Sequence, residues 1–280
     1  MTSPLLELDG VAKRFGRVVV AENLSLAVGP GDTVGIVGPN GAGKTSLFGL
    51  ISGDLSPDAG QVRFAGRTVT KLDAASRCRL GIGRTYQVPR PFGDMTVFEN
   101  VLVAAQQGAG LRRRASYATA VDALERCGIP GQANVPAERL GLLQRKRLEL
   151  ARALASRPTL LLLDEVAGGL TDPEVAQLVE IVRGVNTEGI AVIWIEHVVR
   201  ALTPVVDRLI CLAGGAFIGD GTPAAVLAEP AVREVFLGSE VTASLAGGTL
   251  AGGTLAGGTL GGDLSDPAAA PSPDGDRSAP

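Results

Sequence analysis

Gly38-Pro39-Asn40-Gly41-Ala42-Gly43-Lys44-Thr45 is the stretch that decides the fold of this 280-residue chain. Its outer glycines and closing Lys-Thr pair have the spacing of a loop that wraps phosphate. The apolar run Thr33–Val37 ahead of it reads as a strand. The residues from about Lys44 to Ile51 read as a helix, stopped by Gly53. Strand, glycine turn and helix in that order are the context the motif requires. Glycines let successive backbone N–H groups curl around phosphate oxygens, and the helix N-terminus adds a favourable dipole. Lys44 is placed to reach the β- and γ-phosphates of a nucleotide, and the Thr45 hydroxyl to ligate Mg²⁺.

Downstream, Leu160-Leu161-Leu162-Leu163 runs into Asp164-Glu165. Four leucines are too few to cross a bilayer and suit a strand buried on both faces. An acidic pair at the carboxyl end of such a strand falls beside the phosphate loop, because ligands bind at that edge of the sheet. Asp164 is expected to hold Mg²⁺, and Glu165 to polarise an attacking water as general base. The chain's one histidine, His197, follows the buried run Ile190–Ile195. At a third strand end, its imidazole is placed to hydrogen-bond a γ-phosphate and sense its loss.

Outward from these motifs the pattern is strand alternating with helix. Val18–Ala21 and Leu24–Val28 are β-type runs, and Gly29-Pro30-Gly31-Asp32 is a turn. The span from about 75 to 157 is richer in helical pattern, including Ala118–Cys127 and Gln144–Ser156, and reads as a helical subdomain. Asp172-Pro173 suits the N-cap and first position of a helix over Glu174–Val182. Together these predict an α/β fold with a parallel core sheet covered on both faces. After about Ser239 the character changes. Leu245-Ala246-Gly247-Gly248-Thr249 recurs twice and decays into an Ala, Pro, Ser and Asp-rich end. Residues 1–240 are thus expected to form the globular unit, and 241–280 a disordered tail.

Composition narrows the function classes. The formal net charge is −3, so no basic field points to nucleic acid. Three separated cysteines and a single histidine offer no metal-ligand spacing, and reduced cytosolic thiols are expected. No apolar run approaches the roughly 20 residues of a membrane span. Service to a membrane would require another chain to supply the pore.

Residues 4–238, with their motifs in this order, resemble the nucleotide-binding subunit of an ATP-binding-cassette (ABC) transporter. The resemblance implies a phosphate-loop NTPase cassette with an N-terminal antiparallel β subdomain and a helical subdomain. It implies ATP and Mg²⁺ as cofactors, with Gly38, Pro39, Asn40, Gly41, Ala42, Gly43, Lys44, Thr45 and Ser46 around the phosphates. Arg84-Thr85-Tyr86-Gln87 resembles the family's glutamine loop, so Gln87 is expected at Mg²⁺ and the attacking water. The segment through Met95-Thr96-Val97-Phe98-Glu99-Asn100 is expected to face a permease. Phe15 stands where an aromatic stacks on adenine, and Gly169-Leu170-Thr171-Asp172 where a loop contacts a second cassette.

Two positions depart from the family pattern. Leu140-Gly141-Leu142-Leu143-Gln144 replaces the usual Leu-Ser-Gly-Gly-Gln signature, and Val166 replaces the proline that commonly follows the catalytic glutamate. In this family each ATP lies between one chain's phosphate loop and its partner's signature. A weakened signature would therefore impair the partner's site and leave this chain's own Lys44 site intact. Either a heterodimer with unequal sites or a working signature variant satisfies the sequence.

Gly81–Gln87, Met95–Val101, Trp194-Ile195-Glu196-His197 and Gly219-Asp220-Gly221-Thr222-Pro223 resemble the ATPases of branched-chain amino-acid importers. The resemblance implies an ATPase on the cytoplasmic face of a membrane, partnered by permease subunits, a second cassette and, indirectly, a solute-binding protein. Cassettes for urea, amides or lipids share these segments. A soluble cassette of translation or DNA repair is the alternative in another class.

Overall fold

The computed structural model describes residues 3–237, so the 241–280 tail lies outside the described residues. Two sheets and a helical layer carry the chain. The first sheet is antiparallel, with spatial order β2-β1-β4-β5. Its strands are β1 (Leu6–Phe15), β2 (Val18–Val28), β4 (Ala59–Phe64) and β5 (Arg67–Thr68). The two β-runs expected before Val28 are one continuous strand. Asn23 adopts a positive φ of 52°, and the β1–β2 register shifts there, so the polar interruption is a bulge and not a break.

The second sheet has the order β10-β9-β3-β8-β7-β6. It contains β3 (Thr33–Val37), β6 (Ile82–Arg84), β7 (Leu160–Asp164), β8 (Ala191–Ile195), β9 (Arg208–Ala213) and β10 (Ala216–Gly221). From β9 to β6 every pairing is parallel; only β10 runs antiparallel, on β9. Along β7 the side chains alternate between two cores. Leu160 and Leu162 join the antiparallel sheet and α1 (Lys44–Ser52), whereas Leu161 and Leu163 join the helical side. Cover on both faces explains why the central strands β3, β7 and β8 are buried along their whole length and largely apolar.

The helical layer contains α3 (Val97–Gln107), α4 (Arg113–Arg126) and α5 (Leu142–Ala155), which pack on one another. Its lower bound moves from the expected 75. α2 (Ala74–Leu80) packs beside α1, and β6 is an edge strand of the core sheet, paired in parallel with β7. Three strand residues, one of them Gly83, directly after Gly81 carry too little periodicity to announce themselves.

α6 (Asp172–Thr187) corrects a cap. Thr171, not Asp172, is its N-cap: the Thr171 backbone N–H and hydroxyl donate to Glu174 Oε2 at 2.8 and 2.7 Å. The Thr-x-x-Glu spacing outcompetes Asp-Pro because it satisfies donors reciprocally. α7 (Val199–Leu202), α8 (Pro223–Ala228) and α9 (Pro230–Leu237) complete the described residues.

Candidate active site

Parallel pairing brings the carboxyl ends of β3, β7 and β8 level. Ile36 and Asp164 both register with Ile195. The residues just beyond these strand ends therefore converge at the middle of one sheet edge. The loop after β3 leads into α1, and its last glycine, Gly43, has φ 102°. A Cβ there would lie 2.2 Å from Val20 O on β2, so only glycine fits between strand and helix. Lys44 is 5% exposed and donates to Gly38 O at 2.8 Å and Pro39 O at 3.0 Å. Burial lowers its pKa, while the nearby Glu165 and Asp164 carboxylates oppose that effect. Asn40, Gly41 and Thr45 are exposed, with Pro39 and Ser46 half-buried beside them.

Asp164 closes β7 and is buried. Its Oδ2 accepts from Arg84 Nη2 at 3.2 Å, and its Oδ1 has no hydrogen-bond partner. Burial pushes its carboxyl pKa up, and Arg84 pulls it back. Arg84 also reaches Asp54 at 2.8 Å and Ser52 Oγ at 3.0 Å, so one guanidinium ties the end of β6 to the end of α1 and to Asp164. Glu165 follows with φ 47°, a left-handed conformation costing a non-glycine residue about 1–2 kcal/mol. Its N–H donates to Ile195 O at 2.9 Å, which pins the strained residue to β8. Gln87 Nε2 donates to Glu165 Oε2 at 2.6 Å, so the two expected catalytic side chains meet.

His197 stands half exposed beyond β8. Its Nδ1 lies 4.0 Å from Glu165 Oε2 and 3.9 Å from Glu196 Oε2. Glu196 is fully buried, and burial pushes its pKa up to about 7. Its Oε1 accepts from Ala167 N–H at 2.6 Å and from Trp194 Nε1–H at 3.2 Å. Lys146 crosses from α5 to donate to Glu165 O at 3.2 Å; it is buried, and burial lowers its pKa. Phe15 lies at the tip of the β1–β2 hairpin, 49% exposed, with Lys13 Nζ 5.5 Å from its ring centroid. It touches none of the polar groups above, but its hairpin supplies the Val20 carbonyl that backs Gly43.

Comparison with known proteins decides the family. The family model for ABC transporters matches residues 21–168, more than half of the chain. The chain belongs to the ABC transporter family. It is an ABC-type ATPase cassette and binds nucleotide.

Among curated ABC relatives, the high-affinity branched-chain amino acid transport ATP-binding protein LivG of Escherichia coli (strain K12) is 33% identical over 253 residues, spanning 85% of this chain and 99% of that protein. A ribose import ATP-binding protein of Rubrobacter xylanophilus is 35% identical over 77% of this chain and 44% of its own length. A solved ABC transporter cassette in its ADP conformation superposes with a TM-score of 0.77 at 28% identity, covering 85% of this chain and all of that one.

The cassette's residues fit Mg²⁺. Asp164 carries a buried carboxylate oxygen with no partner, and the Thr45 hydroxyl and Gln87 amide are also hard oxygen donors. Among the described residues no three His, Cys, Asp or Glu side chains converge as an all-protein cage. Three polar residues of this cassette site carried no role in the sequence reading: Arg84, Lys146 and Glu196. For Glu196 a signal was present, a lone acid immediately after a fully buried strand and before the only histidine. The Leu140–Gln144 segment opens α5. Gly141 is the N-cap of α5 without a side-chain cap bond, Leu142 is 47% exposed beside Gly169, and Leu143 is buried.

Proposed function

We propose that this cassette hydrolyses Mg·ATP to drive a membrane importer for branched-chain amino acids or similar small solutes. It would work at the cytoplasmic membrane face with permease subunits, a second cassette and, indirectly, a solute-binding protein. The observation carrying the site is the meeting of Lys44, Asp164, Glu165 and Gln87 at one sheet edge, with Gln87 hydrogen-bonded to Glu165 at 2.6 Å. The solute class is supported by the likeness to LivG. A ribose import ATP-binding protein is similar as well, so the likeness supports an import cassette more broadly than one solute.

Each residue has a physical part. Gly38, Pro39, Asn40, Gly41, Ala42, Gly43 and Ser46 form the cradle whose amides and helix terminus favour phosphate oxygens. Lys44 exchanges its loop carbonyls for the β- and γ-phosphates. Thr45, Asp164 and Gln87 are the residues to hold Mg²⁺, which when bound neutralises charge on the phosphates. Glu165 takes a proton from the attacking water, and Gln87 fixes where its carboxylate points. His197 donates to the γ-phosphate, and Phe15 offers its exposed ring to adenine. Cassette closure and reopening would move the segment from 88 through Asn100, within which Asn100 holds Phe92 and Thr96, against the permease. The altered signature supports a heterodimer in which this chain's phosphate loop meets a partner's intact signature.

The experiment is ATPase turnover of the purified chain, alone and reconstituted with its permease and partner. The Glu165→Gln variant is expected to bind ATP while losing at least about a hundredfold in kcat. Lys44→Ala is expected to weaken nucleotide binding instead. Normal turnover in both variants would overturn the site; strong turnover of the wild-type chain alone would overturn the unequal-site dimer.

A further inference from the structure

Glu196 and His197 are adjacent, yet only one has a stated part in hydrolysis. Oε1 of Glu196 is committed, because Ala167 N–H and Trp194 Nε1–H can only donate and both point to it. Oε2 is buried without a hydrogen-bond partner and lies 3.9 Å from His197 Nδ1. Among the described residues, His197 is the one basic group within 4.0 Å of Glu196. A buried carboxylate oxygen with no donor costs free energy, and a small turn of the half-exposed ring would supply one.

We propose that Glu196 is a positioning residue that shares a proton with His197 Nδ1 and thereby keeps Nε2–H available as a hydrogen-bond donor. This rests on the reading of His197 as the γ-phosphate partner. With two protons over the three sites Oε2, Nδ1 and Nε2, one lies between Oε2 and Nδ1 and the other is on Nε2. It does not matter which heavy atom holds the shared proton; Nε2 is a donor either way. When the pair loses a proton, the one remaining stays on Nδ1 against the carboxylate. Nε2 then presents a lone pair to an anionic oxygen, and the contact turns repulsive.

The other charged groups facing the pair come from β7 and α5. Glu165 Oε2, 4.0 Å from Nδ1, favours protonation of the pair, and Lys146 opposes it. Burial of Glu196 acts in the same direction as Glu165, holding the proton into the neutral range.

Glu196→Gln separates tautomer control from packing. Ala167 and Trp194 still need an acceptor, so the amide oxygen takes the place of Oε1. The amide NH₂ then faces Nδ1 as a donor, which favours the Nε2–H tautomer of the neutral ring. Because His197 is the only histidine, ¹⁵N-histidine labelling gives one imidazole to follow. In the wild type, rising pH is expected to strip Nε2 while Nδ1 stays protonated. In Glu196→Gln, the neutral ring is expected to keep its proton on Nε2. In turnover, kcat of the wild type should fall about tenfold per pH unit on its alkaline limb, and the variant should lack that limb with KM for ATP unchanged within about twofold. Emission of Trp194, the only tryptophan, checks that the variant keeps its fold.

A wild-type ring that carries its proton on Nε2 at alkaline pH overturns the proposal, whatever the variant does. So does an identical tautomer in both proteins, which would make Glu165 the ring's partner. Full turnover in His197→Ala would instead remove the reading of His197 at the γ-phosphate, and leave the nucleotide-independent NMR result standing.

Discussion

Replacing Gly43 by alanine should wreck the phosphate loop, whereas the same change at Gly41 should be tolerated by the fold. Both glycines have positive φ, 102° and 79°, so each alanine takes on backbone strain. At Gly41 nothing lies within 4 Å of the added Cβ, and the cost is the left-handed conformation alone, about 1–2 kcal/mol. At Gly43 the Cβ falls 2.2 Å from Val20 O, more than 1 Å inside ordinary contact, against strand backbone that cannot rotate away. Strain of about 1–3 kcal/mol then combines with overpacking of about 1–3 kcal/mol, and the loop must separate from β2. For a unit of this size, each kcal/mol shifts Tm by about 2–4 °C. Thermal melts without nucleotide should therefore show a fall of a few degrees for Gly41→Ala and about 10 °C for Gly43→Ala. Because Gly43 is also the N-cap of α1, ATP affinity should fall with stability in that variant. Equal melting of the two variants, or a Gly43→Ala protein as stable as wild type, would refute the reasoning.

Two further outcomes follow from buried polar groups. Burial raises the Glu196 carboxyl from its ordinary 4.5 to about 7, so between those values the folded chain holds a proton that the unfolded chain has released. This contribution to stability is fully present below about pH 4.5 and is lost as pH rises through about 7, amounting to a few kcal/mol at most. Denaturant unfolding at pH 5 and pH 8 should show a smaller difference in Glu196→Gln than in wild type; an equal difference would mean the carboxyl titrates normally. Asn100 is buried, donates to Phe92 O and Thr96 O at 3.0 Å each and accepts from Phe92 N–H at 2.8 Å. Asn100→Ala should cost about 2–3 kcal/mol and raise amide exchange across 92–96, and unchanged exchange there would show that the segment is held by other groups.

The sequence was most legible where chemistry and geometry constrain the same residues. The octet at Gly38–Thr45 had to follow a strand and open a helix, and it does. Asp164, Glu165 and His197 stand out in the sequence because each lies at or just beyond the end of a buried apolar run, and the parallel sheet brings those ends to one edge. Arg84, Lys146 and Glu196 carried no role in that reading, and each has a partner remote in sequence. Arg84 meets Asp164 across 80 positions, and Glu196 meets Ala167 across 29. A charge on an amphipathic helix, like Lys146 on α5, looks solvated until another strand end covers it. Short β6 and the Thr171 cap failed differently. There two local signals competed, and tertiary pairing or reciprocal capping chose between them.

The polar groups at this edge are bonded to one another in a way that bears on how the site works. Lys44 binds the carbonyls of its own loop, Arg84 holds Asp164, and Gln87 holds Glu165. On the proposed reading, a phosphate arriving at Lys44 would exchange one set of hydrogen bonds for another and would not have to order loose side chains. Exchange of that kind is nearly neutral for the protein, whereas immobilising a free lysine or glutamine would cost roughly 0.5–1.5 kcal/mol each. The same bonds join the site to distant elements. Arg84 carries Asp164 to α1 through Ser52 and Asp54, and Lys146 carries the Glu165 turn to α5, whose N-terminus is the altered signature segment. On the proposed role of Glu165, its movement would reach the first turn of α5 through the Lys146–Glu165 hydrogen bond, a route that does not pass through the Gly38–Thr45 loop.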